Sequence, residues 1–268
     1  MDVCLLNRRP FFLFILTFCF CAISCGDRFN IDTERGRNAR IDEANYQLST
    51  GNCQGAIDII DPLYSSGHVT DEIRILKASA YACFADFSLL NLIANLSSNS
   101  NYFSALAKSM PNTVGDGRLE YLYSAVDVLT NDSSTLNASS RGKSINTYMV
   151  FLQLAVVGEI LAGYGNPDAS GNQGTDLSYA NPRVDGNMSN TNACALSAAM
   201  STIADSYNYS SVSDSNSTAA VTAINSACTS AGYTCSNITR DRSSCTGLAA
   251  DAPSLVAVAI VASVNSAW

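Results

Sequence analysis

The sequence predicts an all-α fold, and two observations carry this prediction. Apolar residues recur at three- and four-residue steps over most of the chain, which is the spacing of one face of an α-helix. Alternation of apolar and polar residues with period two, the pattern of a half-buried strand, is almost absent. We therefore expect antiparallel helix pairs and a strand content near zero.

The first three predicted helices have recognisable start and stop signals. Gly51 separates the first two amphipathic segments, and Thr70 precedes a third. Asp71 and Glu72 lie in the first turn of that third helix, where the positive helix end favours acidic side chains. Its inner face is predicted to carry Ile73, Leu76, Ala80, Tyr81 and Phe84. In chain order the predicted helices are Arg37 to Thr50, Cys53 to Tyr64, Asp71 to Phe84, Phe87 to Leu96, Tyr102 to Ser109, Arg118 to Leu129, Ile145 to Tyr164, Ala193 to Tyr207, Ser217 to Ala231 and Pro253 to Ala267.

The segment from Ile145 to Tyr164 is apolar on nearly every face. Such a helix is either a central core element or a membrane span. Gln153, Gly158 and Glu159 interrupt it, and an isolated glutamate at bilayer depth is unfavourable by a few kcal/mol. The pattern therefore favours a buried core helix over a span.

The start of the chain carries an export signal. Two arginines precede an apolar run from Phe11 to Phe20, which is shorter than the ~20 residues that a membrane-spanning helix needs. Ala22-Ile23-Ser24-Cys25 follows the run and resembles the lipobox of bacterial lipoproteins. The resemblance implies that residues 1–24 are a cleaved signal peptide and that Cys25 is the lipid attachment site. Gly26 in place of aspartate then implies the outer membrane, on its periplasmic or surface face. Plain secretion and an uncleaved anchor are the alternatives.

Charge and composition exclude one class of partner. Removing residues 1–24 leaves 13 basic and 22 acidic side chains, a net charge of −9. Nucleic acid is therefore not expected as a partner, because phosphate binding needs clustered Lys and Arg. The chain is 47% apolar, which is ample for the core of one large or two small domains.

The helical pattern also suggests how the mature part is organised. We expect a tether over residues 25–36 and a single all-α domain over 37–268. Within that domain, residues 37–97 form repeat-like helix pairs, and 98–268 form a helical remainder with a polar loop at 166–190.

Six cysteines remain besides Cys25, and an even number in an exported chain indicates disulfides. They are Cys53, Cys83, Cys194, Cys228, Cys235 and Cys245. Six cysteines allow fifteen pairings, and their positions on the predicted helices favour Cys53 with Cys83, Cys194 with Cys228, and Cys235 with Cys245. A zinc site is the alternative, but the chain has no C-x-x-C pair and one histidine.

A weak internal repeat runs through the first four helices. Its period is thirty-four residues, that of the tetratricopeptide family. Gly51-Asn52-Cys53-Gln54-Gly55-Ala56 resembles the inter-helix turn of that family, over about sixty residues, although His68 stands near the position of its helix-ending proline. The resemblance implies stacked helix pairs with a groove for peptides or partner helices. An ordinary helical bundle with coincidental spacing is the alternative. The matching positions are Ala44 and Ala78, Cys53 and Phe87, Ala56 and Leu90, and Ile60 and Ala94.

The loop from Asn166 to Asp176 imitates the front half of an EF-hand. Oxygen-bearing residues stand at alternate positions, with Gly171 at the sixth. Position twelve is Leu177 instead of the bidentate glutamate, and the first ligand position holds Asn instead of Asp. We therefore expect a polar turn and no metal or cofactor, with calcium binding as the alternative.

Catalytic signals are weak. A histidine-based triad would have to use His68, which has no nucleophile motif around it, and no phosphate- or dinucleotide-binding fingerprint occurs. Carboxylate pairs such as Asp58 and Asp61 fit a solvated helix face. The chain is therefore not expected to be an enzyme. Asn-x-Ser/Thr triplets occur about as often as composition alone gives, so a eukaryotic glycoprotein is a minor alternative.

Together these features predict a membrane-anchored envelope lipoprotein whose helical-repeat surface binds another envelope protein or serves as a structural adaptor. Its expected partners are the membrane, through the lipid anchor, and that second protein. The alternative is a solute-binding accessory lipoprotein of a periplasmic transport system.

Overall fold

The structure is a computed structural model that describes residues 30–111, 116–130, 137–178, 188–238 and 255–268. Across these ranges the chain is all-helical and contains no strand, as the sequence predicts. Two short 3₁₀ turns accompany the α-helices, at Ala138–Ser140 and Cys235–Asn237. The α-helices are α1 (Glu34–Ser49), α2 (Cys53–Ser65), α3 (Asp71–Phe84), α4 (Leu89–Ser98), α5 (Tyr102–Lys108), α6 (Arg118–Thr130), α7 (Lys143–Gly165), α8 (Asn190–Tyr207), α9 (Ser215–Ser230) and α10 (Leu255–Ala267).

Side-chain caps set most of the helix starts. A cap oxygen accepts a hydrogen bond from a backbone N–H of the first turn that has no partner within the helix. Thr33 caps α1 in this way through Gly36 N, so α1 begins three residues before the predicted Arg37. In the same way α2, α3, α4, α5, α8 and α9 are capped, in that order, by the side chains of Asn52, Thr70, Ser88, Asn101, Ser189 and Asp214.

The contacts divide the chain into two compact units, and the first is Met1–Val69, described from residue 30. Its helices α1 and α2 pack on each other as an antiparallel pair. Ile41 and Ala44 of α1 are buried, as are four apolar residues of α2. Gly51, with φ of +76°, ends α1, and the backbone N–H of Asn52 returns to the carbonyl of Gln47.

The second unit, Thr70–Trp268, is built around α7. Helices α5, α6 and α8 pack against α7, and 83% of its most apolar eighteen-residue stretch is buried within the protein. By length and composition α7 is the one described helix that could cross a membrane on its own. Because protein covers it, we assign it as a core helix, and α3 and α4, which pass the same test only together, are bent by 72°.

The crossing of α5 over α7 requires a glycine. A Cβ on Gly158 would lie 2.6 Å from the carbonyl oxygen of Leu106, a distance that real Cβ atoms do not adopt. The absent side chain therefore allows the two backbones to approach closely, as small residues do at tight helix crossings.

A buried polar network fixes the 3₁₀ turn at Ala138–Ser140 between α7 and α8. Asn146, fully buried on α7, donates to the carbonyls of Ala138 (2.9 Å) and Arg141 (3.3 Å). The guanidinium of Arg141 donates to Asn146 Oδ1 at 3.0 Å and to Ser206 Oγ at 2.8 Å. Asp205 Oδ2 accepts from the backbone N–H of Ala138 at 2.9 Å. The network satisfies backbone groups that would otherwise be buried without partners.

The C-terminal helix closes the second unit. Asn265 of α10 accepts hydrogen bonds from Gln173 Nε2 and Leu177 N, and donates to the carbonyl of Leu177. The indole N–H of Trp268 donates to the carbonyl of Gly171 at 2.8 Å. The loop that follows α7 is thereby held against α10.

We expect Asn146→Ala to lower the free energy of unfolding by about 2–4 kcal/mol, because it removes the three hydrogen bonds of a fully buried side chain. Chemical denaturation followed by circular dichroism measures the change. Ser144→Ala, at an exposed site on the same helix, is the control and should stay within about 0.5 kcal/mol of the parent. Equal effects of the two substitutions would mean that the network contributes nothing specific.

Candidate functional site

Three of the predicted disulfide cysteines, Cys53, Cys83 and Cys194, are disulfide-bonded. Cys53 and Cys83 are a pair at disulfide distance, as the sequence predicts. Cys25, the predicted lipid attachment site, and Cys245 lie outside the described residues.

The predicted pairing of the later cysteines is wrong. Cys228 bonds to Cys235, seven residues further along, with their Cα atoms 5.3 Å apart. This bond excludes both the predicted Cys194–Cys228 bridge and the predicted Cys235–Cys245 bridge.

A helix-ending turn explains the observed bond. Gly232 has a φ of +87°, its N–H donates to the carbonyl of Thr229, and the N–H of Tyr233 donates to the carbonyl of Cys228. These two bonds form a Schellman motif, which reverses the chain at the end of α9. The reversal brings the 3₁₀ turn that begins at Cys235 back onto the last turns of α9.

A carboxylate in the loop after α7 accepts hydrogen bonds from the same loop. The carboxylate of Asp168 accepts hydrogen bonds from the backbone N–H groups of Ser170 and Asn172 and from the side chain of Asn172. These bonds, led by those from Asn172, lower the pKa of Asp168 below its ordinary value. The described residues hold no group of three His, Cys, Asp or Glu side chains that could bind a metal ion. The geometry of this part of the loop is that of a self-capped polar turn.

The other titratable residues singled out by the sequence lie on the surface. His68 is exposed in the turn after α2, and Asp71 and Glu72 are exposed in the first turn of α3. Asp58 is exposed on α2, whereas Asp61 is half-buried on the same helix.

A buried carboxyl group on α7 is the most unusual titratable group in the described residues. Glu159 is 4% exposed, and its Oε2 atom has no hydrogen-bond partner among those residues. Burial, followed by the nearby carboxylate of Asp116, raises the pKa of Glu159 from 4.5 to about 7, against the opposing charge of Arg118. The sequence shows Glu159 as a single carboxyl group in an otherwise apolar segment, but it does not predict that Asp116 and Arg118 lie nearby.

Arg118 connects the start of α6 to the end of α3 beside this group. Its guanidinium contacts Asp86 Oδ2 at 2.7 Å and Asp116 Oδ2 at 2.6 Å. The ring of Phe84 stacks on Tyr121 with centroids 5.0 Å apart, which joins the same two helices. The arrangement holds α3 to α6.

The outer face of α4, formed by Leu90, Ile93 and Ala94, is exposed. Leu90 is 80% exposed and Ile93 is 37% exposed. These residues recur at the three- and four-residue spacing of one helix face, so they form a continuous apolar strip. The inner residues of α4, Leu92 and Leu96, are each 1% exposed.

The exposed face of α4 differs from the face that a thirty-four-residue repeat predicts to be exposed. Ala56 and Ile60 are buried, whereas their counterparts Leu90 and Ala94 are exposed. The turn between α3 and α4 explains the shift. Asn52 both completes the turn after α1 and caps α2, but after α3 the separate residues Phe87 and Ser88 do these two tasks. This turn is therefore one residue longer, and α4 begins 36 residues after α2 instead of 34, so the buried face of α4 is shifted by two positions.

The described residues line at least two concave surfaces. A cleft of about 230 Å³ lies between the N-terminus of α5, α9 and the end of α10, and residues such as Tyr102, Ser226 and Ala267 line it. The described lining of a larger concavity, of about 880 Å³, comes from α1 and is mostly polar or charged. The cleft is smaller than the roughly 300–1,000 Å³ of typical small-molecule sites.

Comparison with known proteins finds no match. No protein-family model, no curated protein and no solved structure matches the chain. The residues and contacts of the chain itself are therefore the basis of the proposed function.

The buried Glu159 gives stability a specific pH dependence. Between pH 4.5 and about 7 the unfolded chain ionises this carboxyl group while the folded chain keeps it protonated, so stability falls as pH rises through this window. We expect Glu159→Gln to remove this loss, so that the variant gains on the order of 3 kcal/mol over the parent between pH 4.5 and pH 8. Denaturation curves at several pH values measure the difference.

Glu120→Gln, at an exposed carboxylate on α6, is the matched control and should show a nearly constant difference from the parent across this range. A constant difference for Glu159→Gln as well would contradict the buried, protonated carboxyl group.

Proposed function

We propose that the chain is an exported bacterial lipoprotein, anchored in the outer membrane by acylated Cys25, that binds another envelope protein through its helical surface. The observation that carries the adaptor role is the outer face of α4. This apolar strip is exposed on a unit whose own core is filled by α7 and its neighbours.

Oxidised cysteines support the export step. Cys53, Cys83, Cys194, Cys228 and Cys235 are disulfide-bonded. Disulfides persist in the periplasm and outside the cell, whereas cytosolic thiols are kept reduced. This agrees with the secretory signal in the sequence, although the signal itself lies outside the described residues.

The exposed apolar face of α4 favours the adaptor over the solute-binding alternative. Protein–protein contacts depend on exposed apolar anchors, and Leu90, at 80% exposure, is the most exposed large apolar side chain of the described residues. A solute-binding protein needs an enclosed cavity. The cleft of about 230 Å³ beside α5 is the observation that keeps the solute-binding function as the second candidate.

The lipid anchor predicts a specific labelling result. We expect Cys25→Ser to abolish incorporation of radiolabelled palmitate and to move the protein from the membrane fraction to the periplasmic or external fraction, because several acyl chains are needed for durable binding. Cys21→Ser, which changes a cysteine inside the leader, is the matched control and should leave labelling unchanged. Membrane partitioning that survives Cys25→Ser would refute the anchor.

The adaptor role predicts a position-specific cross-link. We expect a photo-activatable amino acid at Leu90 to give one discrete protein adduct in intact cells, and Ile93→Glu to reduce that adduct several-fold by placing a charge in the apolar contact. The same probe at exposed Ser144 of α7 is the control and should not give this adduct. An identical adduct pattern from both positions would show that the outer face of α4 has no special role.

A further inference from the structure

The first described residues of the first unit are close in sequence to the proposed anchor. Asn30 folds back on the start of α1, where its carbonyl accepts from Thr33 N at 3.2 Å and from Thr33 Oγ1 at 3.1 Å. Its side chain accepts from Asp32 N at 3.0 Å, and Arg37 donates to the carbonyl of Ile31 at 2.9 Å. Residues 30–33 therefore lie directly against the first turn of α1.

This start limits the distance between α1 and the membrane. Only residues 26–29 separate Cys25 from Asn30, and five Cα–Cα steps span at most about 18 Å. α1 has sixteen residues and is about 24 Å long. A lipid on Cys25 would therefore hold the N-terminal end of α1 near the headgroups, while its C-terminal end can lie well outside them.

Charge is distributed unevenly along the same unit. Its described arginines, Arg35, Arg37 and Arg40, all lie in the first half of α1. Together with the acidic residues Asp32 and Glu34 they give residues 30–40 a net charge of +1. The rest of the unit has four acidic residues and no Lys or Arg, a net charge of −4 over 41–69. The end nearest the anchor is the end that anionic phosphate groups attract.

α1 is not suited to lie flat in the interface. A helix that does so needs a free apolar face toward the acyl chains. The buried residues Ile41 and Ala44 lie on the side of α1 that packs against α2, and Asp42 is exposed further along the helix. Only the basic end is favourable for contact with the bilayer.

We propose that the first half of α1, with Arg35 as its exposed basic residue, contacts the phosphate groups of membrane phospholipids and holds the first unit end-on to the bilayer. This inference depends on the proposed lipid anchor at Cys25. It adds a direct protein–phospholipid contact to the attachment through Cys25, and the C-terminal end of α1 then lies away from the membrane.

Photo-cross-linking in cells grown with [³²P]phosphate tests this orientation. A photo-activatable amino acid is placed at Asn38 or, as the matched control, at Ser49; both are exposed, and they lie on the same face of α1, about 16 Å apart along its axis. We expect phospholipase-sensitive ³²P on the protein to be several-fold higher with the probe at Asn38. Arg35→Glu, or ten Gly and Ser residues inserted after Gly26, should lower the signal at Asn38 several-fold.

Palmitate labelling of the same samples distinguishes the two proposals. A palmitate-labelled protein with equal ³²P from both probes, or with none at Asn38, overturns the end-on contact and leaves the anchor intact. A protein without palmitate overturns the anchor and the end-on contact together.

Discussion

The need to cover α7 on all sides is the constraint on which the second unit depends. An apolar helix of this length is stable in a folded protein only when other helices remove its side chains from water. Helices α5, α6 and α8 do so, and Gly158 lets α5 approach closely. Buried polar groups on α7 also need partners. Asn146 has them within its network, whereas burial raises the pKa of Glu159 to about 7, so that this group is protonated in the folded protein below that pH.

The sequence predicts the helices well because their signals are local. Apolar spacing and cap residues such as Thr70 act within a few residues, and all ten described helices lie where the pattern places them, with shifts of up to three residues at their ends. The predicted partner of Cys228 was wrong because the bond depends on the turn at Gly232, a local feature that the levels of the predicted helices do not contain. The exposure of Leu90 was missed because α4 begins 36 residues after α2, two more than the predicted repeat, which changes the face of α4 that is buried.

The functional proposals depend on different parts of the molecule. The anchor depends on the sequence up to Cys25, whereas the oxidised cysteines support export independently of it. The adaptor role depends on the exposed strip of α4, and the end-on contact depends on the short tether and on the charge of α1. Failure of the adaptor role would leave the anchor and the fold unaffected.

Hydrogen–deuterium exchange of the exported protein tests the central role of α7 most directly. If α7 is the covered core, its backbone amides should exchange only through global unfolding, far more slowly than those of the exposed helix α4, and at a rate that follows the free energy of unfolding as denaturant is added. Exchange in α7 as fast as in α4, or protection that disappears on removal from the membrane, would contradict a helix buried by the protein's own fold.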